Sequence, residues 1–268
     1  MLAFGTPNLP SGTTPPCQPT IYAWGPGMRE TDFERELKIF AAEEETAQQY
    51  FFSYLLLRDL PAQDANVLRE MNSNALFWIT TRDALLLSAF VALGRIFDQK
   101  SKHNIDRLMK ITRESISAFS KKALAARKVA GGLTEEQAAA YVADCHELTT
   151  SDLRSLRKEI KSWRSVYVAR YRDIRDMVYA HKELSTVDEA NNLMASAKIK
   201  EIKDLFGFLS ALEGALAVSF NNGNQPLLNE REFILWPEDT TGVTARPREK
   251  VYRQGYKVLK TLAASATE

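Results

Sequence analysis

Residues 153–184 read LRSLRKEIKSWRSVYVARYRDIRDMVYAHKEL, and their spacing decides the fold. Leu153, Leu156, Ile160, Trp163, Tyr167, Ile174, Met177 and His181 follow one another in alternating steps of three and four, interrupted only where Arg170 takes a seam position. That period lays one apolar stripe along a helix; a strand would alternate at every second residue. Most positions off the stripe are charged, so the helix must bury one face against partners of its own kind. The stretch predicts a helical bundle.

The flanking sequence carries the same signal. The chain holds ten prolines, yet only Pro61 falls between residues 27 and 225. A gap of that size favours helices, because proline removes an amide donor and clashes with the preceding turn. Thr31 and Asp32 are good N-cap residues for a first helix through Phe33, Leu37, Phe40, Ala47, Phe51 and Leu55, which Leu60 and Pro61 stop. Residues 63–98 form a second long stretch, broken near Asn72 to Asn74, with Leu76, Ile79, Leu86, Phe90, Leu93 and Phe97 as its apolar set. Lys100 to Asn104 is a polar turn. Ile105 to Ala130 reads as one or two basic amphipathic helices ending at Gly131 and Gly132, and Thr134 to Glu147 opens with Thr-Glu-Glu-Gln, a capping box. A last core helix runs from about Ala197 to Phe220 through Ile199, Ile202, Phe206, Leu209, Leu212 and Leu216, and Asn221 to Gln225 ends it.

The two ends differ in texture. Six prolines with Gly5, Gly12, Gly25 and Gly27 make residues 1–27 a turn-rich leader, expected to be disordered, with Met28 as the expected start of the native product. After Pro226 come a short apolar piece, Phe233 to Trp236, a Gly/Thr loop, and Arg246 to Ala264 as a small basic helix. The expected organisation is therefore a leader (1–27), a bundle (28–225) and a C-terminal extension (226–268). The fold class is all-α: a bundle of long antiparallel helices with a small appendage.

Composition narrows the function classes. The 35 Lys and Arg nearly balance 34 Asp and Glu, which excludes a strongly basic or acidic tail protein, and 45% apolar residues exclude wholesale disorder. The longest apolar run, Ala84 to Gly94, is far shorter than the roughly 20 residues of a membrane span. No membrane partner is expected. Residues 1–28 hold no Lys or Arg and no continuous apolar stretch, unlike a secretory signal. Cys17 and Cys145 are too few for a disulfide framework, so a reducing cytoplasm is the expected compartment.

Histidine scarcity prunes the chemistry. His103, His146 and His181 are the only three. There is no His-Glu-x-x-His, and no Glu stands three residues before any His, as a di-iron bundle requires. Neither a Walker loop nor Gly-x-Gly-x-x-Gly occurs, so no glycine loop cradles phosphate. Cys145 and His146 are neighbours, about 100° apart on a helix, and read as structural rather than as a proton-sharing pair. No cofactor and no metal are expected.

What stands out is Tyr171 to Leu184, where Arg175 and Asp176 precede His181 by six and five residues. This resembles the HEPN superfamily motif of Arg, a polar residue, a few residues, then His, and Arg175, Asp176 and His181 fit it residue by residue. The flavour Arg-Asp-x-x-x-Ala-His, preceded by the helix Trp78 to Gln99 with its Arg95-Ile-Phe-Asp98 ending, looks like the abortive-infection (Abi U-type) subgroup. The resemblance covers roughly residues 30 to 220. It implies a HEPN-like fold and a metal-independent endoribonuclease that leaves a 2′,3′-cyclic phosphate from a composite site at a homodimer interface. It further implies RNA as substrate, a toxin or anti-phage role, and an antitoxin or nucleotidyltransferase as a further partner.

Side-chain chemistry gives each residue a role. On one helix, Arg175 and His181 lie about 120° and 9 Å apart, so a single helix cannot easily clasp one phosphate between them, whereas a two-fold dimer brings both pairs into one cleft. His181 titrates near neutral pH and would move protons to or from the 2′-hydroxyl or leaving oxygen. Arg175 would hold the phosphate and offset its growing charge, and Asp176 would orient one of the two. Tyr179, Arg172 and Lys182 are the candidate substrate-binding neighbours. Basic residues along the motif helix (Arg154, Arg157, Lys158, Lys161, Arg164, Arg170) and the final helix (Arg246, Arg248, Lys250, Arg253, Lys257, Lys260, with Tyr252 and Tyr256) could track RNA. Set against this are plainer readings. His181 continues the apolar stripe and could be a buried imidazole satisfied by a carbonyl, and the cations could be a solvated face balanced by Glu34, Glu36, Glu43, Glu44 and Glu45 of the first helix. The alternative function is a non-catalytic HEPN-like nucleotide-binding or protein-interaction module.

Overall fold

A computed structural model describes residues 31–172, 198–229 and 246–265, and among them every regular element is helical. In chain order these are α1 (Asp32–Gln63), α2 (Ala65–Ser73), α3 (Ala75–Phe97), α4 (Ile105–Glu114), a short 3₁₀ turn (Ile116–Phe119), α5 (Lys121–Ala130), α6 (Glu135–Val142), α7 (Thr150–Arg170), α8 (Ile199–Asn222) and α9 (Pro247–Ser265). The leader, Met28, the apolar piece Phe233 to Trp236 and the whole of the Arg175–His181 motif lie outside the described residues.

Local chemistry sets the boundaries. The Thr31 hydroxyl accepts from the Glu34 amide at 3.2 Å while the Glu34 carboxylate accepts from the Thr31 amide at 2.6 Å, a reciprocal cap that satisfies two otherwise orphaned donors. Thr134 with Gln137 and Thr149 with Asp152 repeat the device at α6 and α7. Pro61 does not stop α1. It costs only the bond to Leu57 one turn from the end, and the Asp64 amide resumes the ladder by donating to the Leu60 carbonyl at 3.0 Å, so α1 runs to Gln63. Asp64 then caps α2 through the Asn66 and Val67 amides. At the far end of α8, Gly223 takes the left-handed conformation (φ 67°), and a Cβ there would meet Cys145 Cβ and Leu124 Cδ2 at 2.7 Å each, which leaves glycine as the fitting residue.

Two apolar clusters hold the helices together. In the larger, α1, α3, α4, α7 and α8 converge through Phe33, Phe51, Phe90, Leu93, Leu108, Tyr167, Phe206 and Leu212. Phe33, Phe119 and Phe220 meet with ring centroids 4.8 to 5.3 Å apart. Each such ring is worth about 1.5–3 kcal/mol in burial alone. In the smaller cluster, Leu56, Leu57 and Leu60 of α1 and Val67 of α2 pack on Leu259 and Ala263, so α9 is seated on the bundle at the C-terminal end of α1.

The first turns of α3 depart from the expected stripe. Leu86, Phe90, Leu93 and Phe97 are buried, but Leu76 is 80% exposed and Ile79 48%. Trp78 and Leu85 touch the smaller cluster instead. Periodicity gave the phase of this helix but not the point at which its partner ends. Among the described residues α3 is also the helix long and apolar enough to cross a membrane by length and composition, longer than the Ala84 to Gly94 run suggested. Its second half is core of the bundle.

Candidate functional site

The helix that leads into the motif is α7. Its entry is fixed by the Thr149 cap and by His146, whose Nε2 lies 2.8 Å from Asp152 Oδ2. Burial pushes the Asp152 carboxyl up, but hydrogen bonds from the Thr149 hydroxyl and His146, with the Thr149 amide, together hold it below its ordinary value. His146 is thus a structural partner. Cys145 is too, with its thiol 3.3 Å from the Tyr141 and Asn222 carbonyls.

Along α7, Leu153, Leu156, Ile160 and Tyr167 are buried as the stripe predicts, and Trp163 stacks on Phe208 at 5.7 Å, which makes it a core contact. At the exit the register changes. Tyr171, not Arg170, is the buried residue: it closes the helix through its amide to the Tyr167 carbonyl, stacks on Phe90 at 5.4 Å and donates its hydroxyl to Glu201 at 2.7 Å. Burial first, and the Glu201 carboxylate second, push the Tyr171 phenol above its ordinary value. Arg170 reaches outward to the same Glu201 at 3.1 Å. α8 is thereby tied to the end of α7 immediately before the motif.

The cations of α7 fall into two groups. Arg164 pairs with Asp106 at 2.7 Å and Arg170 with Glu201, while the Arg157 guanidinium makes one long contact of 3.4 Å to the Met109 carbonyl. Arg154, Lys158 and Lys161 are exposed and, within the described residues, their side chains take part in no hydrogen bond or ion pair. Arg172 is described and exposed; Arg175, Asp176, Tyr179, His181 and Lys182 lie outside the described residues.

Seated on α1 and α2, α9 uses its charges differently from expectation. Arg248 is buried, with its amide 2.6 Å from Glu45 Oε1 and its guanidinium 3.5 Å from Glu44. Lys260 pairs with Asp64, and Tyr252 and Tyr256 pack on the smaller cluster, so these groups hold α9 in place. The acidic first helix is likewise no solvated face. Glu34, Glu36 and Glu44 are buried: Glu36 meets His103 and Arg107, and Glu44 accepts from Gln48 and Ser210. Burial raises the Glu44 carboxyl to about 7, with Arg248 and Ser210 opposing and Glu213 and Glu45 adding to the rise. Among the described residues no three His, Cys, Asp or Glu side chains gather as a metal site would require. Sequence reasoning missed the Glu44 network because Glu43-Glu44-Glu45 reads as a charge run; the one hint was Glu44 sitting four residues after Phe40 and three before Ala47, on the buried stripe.

The described residues form an all-helical bundle in which the basic α7 packs against α4 and α8 and meets α3 through Phe90 and Phe97, consistent with a HEPN-like domain. Residues 30–232 match the HEPN AbiU2 family model, described as AbiU2, and the chain belongs to this abortive-infection family. No curated protein and no solved structure matches it. The matched span takes in the whole of Arg175 to His181 and stops short of α9.

Proposed function

We propose that the protein is a metal-independent endoribonuclease that acts as a homodimer and serves as an abortive-infection toxin against phage, with Arg175 and His181 as its reacting groups. The observation that carries this reading is the Arg175-Asp176 pair set five and six residues ahead of His181 within a chain of the HEPN AbiU2 family. Two copies supply two guanidinium and two imidazole groups about a two-fold axis. His181 takes the proton from the ribose 2′-hydroxyl as that oxygen attacks the adjacent phosphorus, and its protonated counterpart gives one to the departing 5′-oxygen. Arg175 balances the charge that gathers on the phosphoryl oxygens, and Asp176 holds Arg175 or His181 in its working orientation. Tyr179, Arg172 and Lys182 contact the flanking nucleotides. The site then needs no metal, and the product carries a 2′,3′-cyclic phosphate.

Incubating the purified full chain with total RNA in EDTA tests this. The wild type degrades the RNA, while Arg175→Ala and His181→Ala lose at least about 100-fold, the scale of a positioned acid–base group, with helicity and dimer mass unchanged. Variants that cut as well as the wild type would remove these residues from the site.

A further inference from the structure

The basic face of α7 does not simply meet solvent. Between α7 and α4 lies a groove of about 650 Å³, within the range of small-ligand and nucleotide pockets. Arg157, Lys161 and Arg164 stand along its α7 wall, and Asp106 is its one acid. Steps of four and three residues put these three cations on one helical face, about 6 and then 4.5 Å further along the axis. The floor is apolar: Met109 and Ile160 are buried, and Val168 is partly so.

The electrostatics leave the groove unsatisfied. Three cations face one carboxylate, and that carboxylate is already bound to the Arg164 terminal nitrogen at 2.7 Å. The Arg164 Nε is buried without a hydrogen-bond partner among the described residues, a state that costs about 1–3 kcal/mol. The Lys161 ammonium has no partner within the described residues. A spaced row of cations over an apolar floor suits a ligand with repeating negative charge and flat apolar faces between the charges. A duplex would present phosphates but keep its bases stacked away from such a floor. Position matters as well. Ala169 at the groove's end precedes Arg175 by six residues, so the two α-carbons are no more than about 20 Å apart.

We propose that the α4–α7 groove binds the backbone of single-stranded RNA, with Arg157, Lys161 and Arg164 on successive phosphates and a base or ribose against Met109, Ile160 and Val168. This binding site rests on the ribonuclease reading for its role, as the hold on substrate beside the cleavage site, but not for its existence.

The test is fluorescence anisotropy of a labelled single-stranded RNA twelve-mer in EDTA, using the full chain carrying His181→Ala so that the RNA stays whole. Arg157→Glu and Lys161→Glu are each expected to weaken binding about tenfold and to lower the salt slope by about one, as loss of a phosphate contact does. Lys122→Glu, an equal charge change on exposed α5 away from the groove, should weaken it less than about twofold by the same screened electrostatics. Equal losses from all three changes would overturn the groove, leaving only diffuse attraction. Displacement of the RNA by uridine monophosphate or by polyglutamate at comparable concentration would overturn it too, assigning the site to a free nucleotide or an acidic protein. The cleavage reading is scored separately on protein with His181 intact. Cleavage without groove-dependent binding sinks the groove alone; groove-dependent binding without cleavage supports the groove and sinks the ribonuclease.

Discussion

Helices α7 and α9 are both rich in Lys and Arg, and the fold puts the two sets of charges to opposite uses. In α9, Arg248 is drawn into the interior against Glu44 and Glu45, and Lys260 reaches Asp64, so the cations fasten the helix to α1 and α2. In α7, the side chains of Arg154, Lys158 and Lys161 make no ion pair within the described residues, and the helix is attached by its apolar stripe with Arg164 to Asp106 and Arg170 to Glu201. The difference arises in the partners. α1 offers α9 buried carboxylates, whereas α4 offers α7 a single Asp106. A basic helix is available to an external anion only where the neighbouring helix withholds its acids.

This contrast predicts unequal costs for removing a cation. At pH 8, where Glu44 is ionised, Arg248→Ala leaves Glu44 buried and Glu45 half-buried with no counter-charge, and breaking a buried pair in this way costs about 3–5 kcal/mol. At about 2–4 °C per kcal/mol for a chain of this size, the melting temperature should fall by about 10 °C or more in a thermal scan. A change of only a degree or two would mean that α9 is held by its apolar contacts and the Arg248 pairing is incidental.

The next effect is a pH dependence on the α9 side. Glu44 is raised from its usual carboxylate range to about 7 by burial, so the folded state holds a proton that the unfolded chain gives up. Stability therefore falls as pH rises through the interval from about 4.5 to 7, by an amount on the order of 3 kcal/mol, and is flat above it. Urea denaturation midpoints at pH 5, 6, 7 and 8 should show this decline in the wild type, and Glu44→Gln should flatten it. An unchanged slope in the variant would place the titration elsewhere.

On α7 the same kind of substitution should scarcely register. Lys161→Ala removes no partner, and its effect on the urea midpoint should lie within about 0.5 kcal/mol, as for surface positions generally. A loss comparable to that of Arg248→Ala would erase the distinction between the two helices and with it the case for an open groove.

Much of this fold could be read from spacing and end signals, because those are local. The capping residues Thr31, Thr134 and Thr149, the break near Asn74, and the stripe from Leu153 to Tyr167 are each decided within a few residues of chain. What escaped was decided by partners distant in sequence. Glu44 looks solvated until Ser210 and Arg248 are brought to it, and Leu76 looks buried until the second cluster proves to end at Trp78. Pro61 looks terminal because one lost hydrogen bond is weighed without the Asp64 cap that follows it. The motif residues Arg175, Asp176 and His181 lie outside the described residues, and they rest on another kind of signal, chemical identity at a fixed spacing, which is read without reference to packing.

The central claim is that Arg175 and His181, contributed by two copies of the chain, cut RNA without a metal. Its most direct test is the end chemistry of RNA fragments made by the full-length protein in EDTA. The account predicts 2′,3′-cyclic phosphate ends from the wild type and none from His181→Ala, with both proteins dimeric. Intact RNA from a folded dimeric wild type, or the same fragments from both proteins, would contradict it.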